Sequence, residues 1–352
     1  MRMSVLVCSL GHMSKSLALA IEEPDMLFEW PAKPPERPSV GAFKFIDLFA
    51  GIGGMRIAFE NSGGTCVFSS EWDKDSQKTY RENFGEIPHG DITKIESKEI
   101  PNFDILMAGF PCQPFSSIGQ RKGFKHKTQG TLFYDVLRII QDKRPSAFLL
   151  ENVVGLVNHD KGKTFRVIQE SLADENYEIF YQVLDSSDYG VPQVRKRIYI
   201  VGFDRNKFKN RPDFFWPAPQ KTKVGIGKFV EQGITDRSIS KHLQKSYIYK
   251  LDDGKPQVIS PESNFQVKTL VASYHKIQRL TGTFVADGPT GLRLLTENEC
   301  KAIMGFPKKF KIPVSRTQMY RQMGNSVAVP VVKSIAKQMV ATLINAKILK
   351  AS

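Results

Sequence analysis

The sequence predicts an α/β fold in which a doubly wound, mostly parallel sheet is joined to a smaller second domain. Short apolar runs alternate with amphipathic, helix-like segments between Phe43 and Phe203, a pattern typical of parallel sheets covered by helices. After Phe203 this alternation gives way to a segment rich in Pro, Gly, Lys and Ser. Helical patterns return beyond about Thr290. We therefore expect one sheet-based domain interrupted by a lobe of different composition.

Five apolar runs have the length and composition of strands, and they come in the order FKFIDLF, TCVFSS, FDILMAGF, SAFLLEN and RIYIVGF. The amphipathic stretch from Thr131 to Lys143 predicts a helix between two of them. Near the C-terminus, TENECKAIMGF opens with Thr296 as N-cap and Glu299 three residues later, the spacing of a capping box. The last apolar helix, about Val327 to Leu349, is expected to pack on the first domain.

These patterns divide the chain into four parts. Residues 1–40 form an N-terminal extension that ends in the proline-rich linker PAKPPERP. Residues 41–203 form the sheet domain, and residues 204–290 form the second lobe. Residues 291–352 form a C-terminal part that returns to the sheet domain.

Composition limits the classes of function. The sequence is 41% hydrophobic, and no apolar run approaches the ~20 residues of a membrane span, so a soluble protein is expected. The net charge of +14 favours polyanionic partners, and half of this excess lies between Asp204 and Thr290, where 15 basic residues stand against 8 acidic ones. The four cysteines are scattered without a CxxC pair, which argues against a zinc site or a disulfide framework and for a reducing compartment.

A glycine-rich segment, DLFAGIGG from Asp47 to Gly54, follows the first predicted strand. Its glycines allow a tight turn near a ligand, although the spacing is not the GxGxxG fingerprint and such turns also occur for structural reasons alone. Glu71 ends the second strand, where a carboxylate can accept hydrogen bonds from both ribose hydroxyls. Trp72 can pack on an adenine ring, and Asp91 in HGDIT is placed to recognise the adenine amino group. Together they predict a cofactor that contains adenosine.

Cys112 is the best candidate for a nucleophile. It lies in GFPCQPFS, directly after a predicted strand, and ligands bind at the carboxyl ends of strands in such sheets. An isolated cysteine is more often a small buried hydrophobe, but the prolines on both sides fit a rigidly held, accessible thiol. The loop that follows contains no acid between Gln113 and Gly130, and its charges favour a thiolate and attract phosphates. Its basic residues are Arg121, Lys122, Lys125 and Lys127. We interpret this loop as a lid over DNA; an ordinary flexible basic loop is the alternative.

Glu151 is the only acid in a highly apolar run, at the end of the next predicted strand. A carboxyl group in that position is a candidate acid with a raised pKa. In QVRKRIYIVG, the alternate positions of Gln193, Arg195 and Arg197 place the two arginines on one face of a strand entrance. They can hold Glu151, a flipped base or a phosphate, although solvated basic residues before an edge strand are commoner.

Six motifs, in this order, resemble those of bacterial cytosine-5 DNA methyltransferases, the modification enzymes of type II restriction systems. They are DLFAGIGG, GFPCQPFS, ENV, QVRKRIYIVG, GFP at Gly305–Pro307 and GNSVAVPV at Gly324–Val331. The resemblance covers about Phe43 to Phe203 and Arg293 to Ala346, and it is loose in the basic segment between them. It implies the Rossmann-like fold of S-adenosylmethionine-dependent methyltransferases with a smaller DNA-recognition domain.

The resemblance also implies a cofactor and a mechanism. S-adenosylmethionine would be the methyl donor, and no metal would be needed. The Cys112 thiolate would add to carbon 6 of a cytosine swung out of the duplex, and Glu151 would hydrogen-bond or protonate ring nitrogen 3. Arg197 would orient the base and Glu151, while Arg195 and Ser116 would contact the nucleotide or its phosphates. The residues implied to line the cofactor pocket are Phe49, Ala50, Gly51, Gly53, Glu71, Trp72, Asp91, Ile92, Pro111, Asn325 and Val327.

The partners follow from the same resemblance. The basic segment corresponds to a target-recognition domain, in which Thr269 matches a threonine that approaches the DNA backbone near the flipped base. Arg121 and Lys122 are further candidates for DNA contact. The segment is short for the family, so we expect a short recognition sequence in double-stranded DNA. We also expect a monomer in the bacterial cytoplasm that protects host DNA from a cognate restriction endonuclease without forming a stable complex with it.

Other functions remain open at this point. Cytosine-5 methyltransferases that act on tRNA share these motifs but usually carry a Cys-Phe-Thr signature, and no cysteine occurs between Cys112 and Cys300. An inactive DNA-binding regulator would commonly have lost one of the three residues Cys112, Glu151 and Arg197, all of which are present. A dehydrogenase fits less well, because the glycine spacing is wrong and no residues for hydride transfer are apparent.

Overall fold

The computed structural model describes residues 42–111 and 132–350. Its centre is a six-stranded sheet with the strand order β2-β1-β3-β4-β6-β5. All five predicted strands occur, within one or two residues of their predicted ends. The strands of this sheet are β1 (Phe43–Leu48), β2 (Gly64–Ser70), β3 (Ile105–Ala108), β4 (Ala147–Val153), β5 (Tyr177–Asp185) and β6 (Lys196–Asp204).

Helices connect and cover the strands. They are α1 (Gly54–Glu60), α2 (Lys74–Phe84), α3 (Leu132–Lys143), α4 (Gly155–Asn158), α5 (Lys163–Asp174), α6 (Lys241–Leu243), α7 (Glu297–Met304), α8 (Arg316–Asn325) and α9 (Val329–Asn345). The predicted capping box of α7 is present, because Thr296 accepts from the amide of Glu299 while the Glu299 carboxylate accepts from the amide of Thr296. This reciprocal pair fixes where α7 begins.

The sheet is buried on both faces. In β1, Phe43 and Phe45 belong to one apolar cluster, whereas Ile46 and Leu48 belong to the cluster on the other side. Successive side chains of a strand point to opposite faces, so an apolar run without polar alternation is what a central strand requires. This explains why the apolar residues of FKFIDLF occupy both faces of the strand rather than every second position, with Lys44 and Asp47 as the two charged exceptions.

The order of the strands creates a crevice at one edge of the sheet. β1 pairs in parallel with β2 on one side and with β3 on the other. The connections that leave β1 and β3 therefore run in opposite directions, and the crevice between them is where open α/β sheets bind ligands. The glycine-rich turn and the segment that leads to Cys112 both start at this point.

Two antiparallel pairings complete the sheet. β6 runs antiparallel to β4 and to β5, while the other three pairings are parallel, so the expectation of a mostly parallel sheet is confirmed. Sequence patterns did not predict β5. It is an edge strand in which Tyr181 and Val183 are exposed, and polar residues such as Gln182 interrupt its apolar pattern.

The segment between β6 and α7 contains little regular structure in the part of the chain described here. Its strands β7 (Gln257–Ile259) and β8 (Thr283–Val285) form a separate two-stranded parallel sheet. The segment touches the main body where Gln193 forms a bridge with Val267. The proposed boundaries at residues 203 and 290 stay predictions.

The C-terminal helix α9 packs against α1, as expected for a segment that returns to the first domain. Within the described ranges, Arg316–Asn345 is the one stretch long and apolar enough to cross a membrane. Its apolar window is 61% buried inside the protein. Such burial is what a core helix shows.

Candidate active site

A cavity of about 640 Å³ opens at the crevice between β1 and β3. Its wall comes from the segments that follow β1, β2 and β3, from residues 90–93, from the end of β4, from the start of β6, and from α8 with the residues that follow it. The predicted site residues found in this wall are Phe49, Ala50, Gly51, Glu71, Trp72, Asp91, Ile92, Pro111, Glu151, Arg195, Arg197, Asn325 and Val327. The fold therefore brings together residues that are spread over most of the described sequence.

The turn after β1 is built on left-handed backbone. Phe49, Gly51 and Gly53 have φ angles of 55°, 55° and 85°. A Cβ atom at Gly53 would lie 2.3 Å from the ring of Phe84, so this position requires glycine for space as well as for conformation. Gly53 itself does not line the cavity, and its neighbours Gly51 and Gly54 do. Its predicted cofactor contact stays a prediction.

Glu71 joins this turn to the end of β2. Its two carboxylate oxygens each accept one backbone hydrogen bond at 2.8 Å, from the amides of Gly51 and Asp73. Burial raises the pKa of Glu71, while these hydrogen bonds act in the opposite direction. Each oxygen retains a second lone pair for a ligand hydroxyl.

Trp72 and Asp91 stand at the mouth of the cavity. Trp72 is unusually exposed for so large an aromatic residue, with 75% of its surface accessible to solvent. Asp91 accepts hydrogen bonds from the amide and the hydroxyl of Thr93, at 3.0 and 2.8 Å. The next residue, Ile92, is buried beside it. An exposed aromatic face, a fixed carboxylate and a small apolar surface suit a purine ring.

Glu151 and Arg197 form an ion pair in the inner part of the cavity. The Nε atom of Arg197 lies 3.1 Å from Oε1 of Glu151, and their side chains are only 16% and 12% exposed. Burial raises the pKa of Glu151, whereas the charges of Arg197 and Arg195 lower it. Antiparallel pairing of β4 with β6 brings the two residues together, because Val153 lies opposite Arg197.

The segment after β3 is held against β4. The side-chain amide of Asn152 donates to the carbonyl oxygen of Phe110 at 2.9 Å. Gly109 adjoins Glu151, since a Cβ atom there would lie 3.8 Å from Oε2 of Glu151. Pro111 lines the cavity, and the chain next reaches Cys112, which falls outside the described residues together with Ser116, Arg121 and Lys122.

Arg195 is buried and held by backbone carbonyl groups, whereas the sequence suggested contact with a nucleotide. Its guanidinium donates to the carbonyl oxygens of Leu270, Gly324 and Ser326 at 3.0, 3.0 and 2.7 Å. Burial and the adjacent charge of Arg197 lower the pKa of Arg195 to about 10. These contacts favour a positioning role, and the predicted contact with the nucleotide stays a prediction.

Thr269 lies next to the cavity but does not line it. Its hydroxyl donates to the carbonyl oxygen of Val194 at 2.8 Å, one residue before Arg195. The amide of Leu270 donates to Oε1 of Gln193 at 2.7 Å. The segment that carries Thr269 is thus docked on the start of β6.

Several cavity residues were missed from the sequence. In the described part of the chain, five buried side-chain atoms of residues in the wall have no hydrogen-bond partner: Arg195 Nε, on a residue already predicted, and Asp47 Oδ2, Ser70 Oγ, Gln318 Oε1 and Gln322 Nε2. Asp47 begins the DLFAGIGG motif and Ser70 precedes Glu71, so both could have been found from the predicted site residues next to them. Nothing in the sequence marks Gln318 and Gln322 as cavity residues, because polar residues on a helix usually indicate a solvated face.

Comparison with known proteins agrees with this geometry. The family model described as C-5 cytosine-specific DNA methylase matches residues 43–341. The type II methyltransferase M.MspI of Moraxella sp is 60% identical over 296 residues, which are 84% of this chain and 70% of that protein. M.BsuFI of Bacillus subtilis is 58% identical, over 84% of this chain and 72% of its own length.

Among solved structures, a mutant form of DNMT2 from Spodoptera frugiperda matches with a TM-score of 0.69. It is 23% identical, and the match covers 86% of this chain and 99% of that one. This likeness supports the fold. The family match and the identity to the type II enzymes establish the family and the activity as well. The chain belongs to the C-5 cytosine-specific DNA methylase family and is a DNA (cytosine-5)-methyltransferase.

Proposed function

We propose that the enzyme methylates one cytosine within a short, specific sequence of double-stranded DNA and so protects host DNA from a cognate restriction endonuclease. The curated relatives that support this role are named type II methyltransferases. The proposal includes a monomer that works in the cytoplasm and needs no stable complex with the endonuclease. A tRNA substrate is not favoured, because both the family and its similar relatives are DNA methyltransferases.

The cavity fits S-adenosylmethionine, the family's methyl donor. Glu71 would accept from the ribose hydroxyls, and Trp72 and Asp91 would hold the adenine; all three line the cavity, and the Glu71 carboxylate is held by two backbone amides. The unpartnered, buried Asp47 Oδ2 and Ser70 Oγ give this wall polar groups that a ligand can satisfy. When bound, S-adenosylmethionine supplies an electrophilic methyl group for carbon 5 of the cytosine.

The ion pair between Glu151 and Arg197 is the observation that carries the catalytic part of the proposal. A buried carboxyl group with a raised pKa can hydrogen-bond or protonate ring nitrogen 3 of cytosine, which makes carbon 6 more electrophilic. The Cys112 thiolate then adds to carbon 6, and carbon 5 becomes nucleophilic. Carbon 5 forms a bond to the methyl group as the methyl–sulfur bond of the donor breaks. The proton on carbon 5 is then lost to solvent, and Cys112 leaves carbon 6 as a thiolate, which restores the aromatic ring. Arg197 keeps the Glu151 carboxyl group in place.

Residues 204–290 are proposed as the target-recognition domain. The segment holds a large share of the positive charge, and phosphate contacts supply much of the affinity of such proteins for DNA. The hydroxyl of Thr269 donates to the carbonyl oxygen of Val194, one residue before the cavity residue Arg195, and we assign Thr269 to the DNA backbone near the flipped nucleotide. Sequence-specific contacts would come from the same segment.

The decisive experiment expresses the protein in a host without cytosine methylation and maps 5-methylcytosine across the host genome. We expect methylation at one cytosine of one short sequence, and DNA that resists an endonuclease that cuts there. Purified enzyme should transfer labelled methyl groups to duplex DNA and not to tRNA. Methylation of tRNA alone, or a genome without 5-methylcytosine, would overturn the proposal.

A further inference from the structure

A second cavity lies between the segment 204–290 and the C-terminal part of the chain. Its volume is about 200 Å³, and it shares no lining residue with the active-site cavity. Arg237 and His275 line it from the first of these segments, and Arg316 lines it from the start of α8. Of the described residues that line it, Asp236 is the one acid. The second cavity is therefore rich in groups that bind anions.

Two nitrogen atoms at the second cavity are buried without a hydrogen-bond partner among the described residues. They are Nε of Arg237 and Nδ1 of His275. The Nη1 atom of Arg237 is already paired, since it lies 2.5 Å from both oxygens of the largely exposed Asp236 carboxylate. Buried polar groups in proteins are normally hydrogen-bonded, so two unpartnered nitrogens at one cavity indicate a ligand with acceptor oxygens.

The backbone at the second cavity is held in an unfavourable conformation. Ile277, which lines the cavity two residues after His275, has φ and ψ angles of 51° and 55°. This left-handed region is uncommon for residues other than glycine and is an outlier for a β-branched residue. Such strain persists only where the surrounding structure fixes it, and it is concentrated at binding and active sites. It supports a binding role for the short turn Tyr274–Lys276 that carries His275.

Arg316 adds a second guanidinium group to the cavity. Its Nη1 atom donates to the backbone carbonyl of Asp236 at 2.8 Å, so the start of α8 is tied to the segment that carries Arg237. Two guanidinium groups against one carboxylate give the cavity a net positive charge, even with His275 neutral. Guanidinium groups bind phosphate oxygens through charge-assisted hydrogen bonds. The second cavity thus has the charge and the donors that a phosphate group requires.

We propose that the second cavity binds one phosphate group of the DNA backbone, with N–H groups of Arg237, His275 and Arg316 as donors. The inference deepens the proposed function, because it takes the segment 204–290 to face the DNA. The basic charge of that segment favours a polyanion over a free phosphate ion. A phosphate held here would tie the recognition segment and α8 to one point of the duplex. Such contacts set the position of the protein on DNA without reading its sequence.

Neutral replacement of single DNA phosphates tests the assignment. The duplex carries the sequence that is methylated in the genome map, and each phosphate is replaced in turn by an uncharged methylphosphonate. In the wild type, each replacement at a contacted phosphate should raise the Kd, measured by fluorescence anisotropy. In Arg237→Met, the Kd of the unmodified duplex should rise about tenfold, as for a lost hydrogen bond to a charged group. One of the replacements should then have no further effect.

Lys250→Met is the matched control. Lys250 is an exposed lysine of the same segment that does not line the second cavity, so the variant removes one positive charge and leaves the cavity intact. The replacement that loses its effect in Arg237→Met should keep it in Lys250→Met. If all replacements act in Arg237→Met as in the wild type, or if both variants lose the same effect, the proposal is wrong. Calorimetric binding of inorganic phosphate in that case would assign the cavity to a free anion.

A second variant covers the case in which Arg237→Met fails to fold. Arg316 is exposed, so Arg316→Met disturbs packing less. It should abolish the effect of one replacement and lower the slope of log affinity against log salt concentration by about one. An unchanged slope with unchanged replacement effects would overturn the proposal. Methyl transfer by the wild type to the unmodified duplex separates the two failures: without it the proposed function fails, whereas with it only the phosphate site does.

Discussion

Arg293 binds both carboxylate oxygens of Glu299 at 2.9 Å, in a position where neither side chain is exposed. The Nε atom of Arg293 also lies 2.9 Å from Asp287. Glu299 caps the start of α7 at the same time. One carboxylate thus joins the segment after β8 to the first turn of α7, and its charge is compensated entirely inside the protein.

Removal of one charge of the Arg293–Glu299 pair should destabilise the folded protein strongly. We expect Glu299→Gln to lower the free energy of unfolding by about 3–5 kcal/mol, because the guanidinium of Arg293 then keeps a buried charge without its main partner. Urea unfolding measures the difference. Arg211→Ala is the control, since Arg211 is 74% exposed where it pairs with Glu178 at 2.8 Å, and exposed pairs contribute at most about 1 kcal/mol. Equal losses in the two variants would contradict this account.

A comparison of Gly53 with Gly63, a glycine of similar φ angle outside the turn, tests the steric requirement for glycine in the turn after β1. Gly53 and Gly63 have φ angles of 85° and 88°, but only Gly53 has a neighbour that a Cβ atom would strike. Gly63→Ala should cost about 1–2 kcal/mol of stability for the left-handed conformation alone.

Gly53→Ala should cost roughly 1–3 kcal/mol more, the usual range for overpacking, because the ring of Phe84 must move. It should also weaken S-adenosylmethionine, since Gly51 and Gly54 on either side line the cavity. Thermal or urea unfolding and calorimetry measure the two effects. The steric explanation would be refuted by equal stability losses in the two alanine variants.

The pH dependence of activity should report on Glu151. Activity that requires its protonated form is complete below its pKa and is lost as the pH rises through it. Arg197 lowers this pKa, so Arg197→Met should move the falling limb of kcat/KM to higher pH, in addition to any loss in rate. Arg211→Ala should leave the limb where it is. A limb that moves to lower pH in Arg197→Met would show that another group controls it.

Cys112→Ala should abolish methyl transfer to duplex DNA while leaving DNA binding intact, because the thiol is proposed as the nucleophile and not as a binding group. Methyl transfer and gel-shift assays measure the two properties. Cys66→Ala is the control, since Cys66 is a half-buried thiol on β2 outside the cavity wall. Appreciable activity in Cys112→Ala would rule out the mechanism. Affinity for DNA should also fall steeply with salt.

The sequence predicted most of the central sheet because its strands are short runs in which apolar residues dominate on both faces. FKFIDLF and SAFLLEN are such runs, although they contain Lys44, Asp47 and Glu151, and each leads directly into cavity residues. β5 escaped prediction because an edge strand is only partly buried, and Tyr181 and Gln182 give it no simple pattern. Sequence patterns thus detect complete burial better than strand pairing itself.

The residues of the candidate site were likewise only partly predictable from the sequence. Glu71 and Glu151 were predictable because they stand at the ends of apolar runs, and Asp91 because it follows a short strand-like segment that the structure reduces to a single bridge between Ser70 and His89. All three lie in the cavity wall. The position of Gln318 and Gln322 in the cavity wall could not be predicted, because it depends on which face of α8 meets the cavity, and tertiary packing decides that. Arg195 was correctly placed near Glu151, but its three carbonyl partners come from residues far away in the sequence.

The docking of the Thr269 segment on the start of β6 has a consequence for engineering. The amide of Val194 donates to Val267 and the amide of Val267 donates to Pro192, at 2.9 and 2.8 Å, so this junction consists of backbone groups that every residue except proline can supply. A chimaera that replaces only residues 210–265 with the corresponding segment of a relative leaves the junction and the Arg195 contacts intact. If this segment reads the target as proposed, such a chimaera should take on the target specificity of the relative without any redesign of the catalytic body.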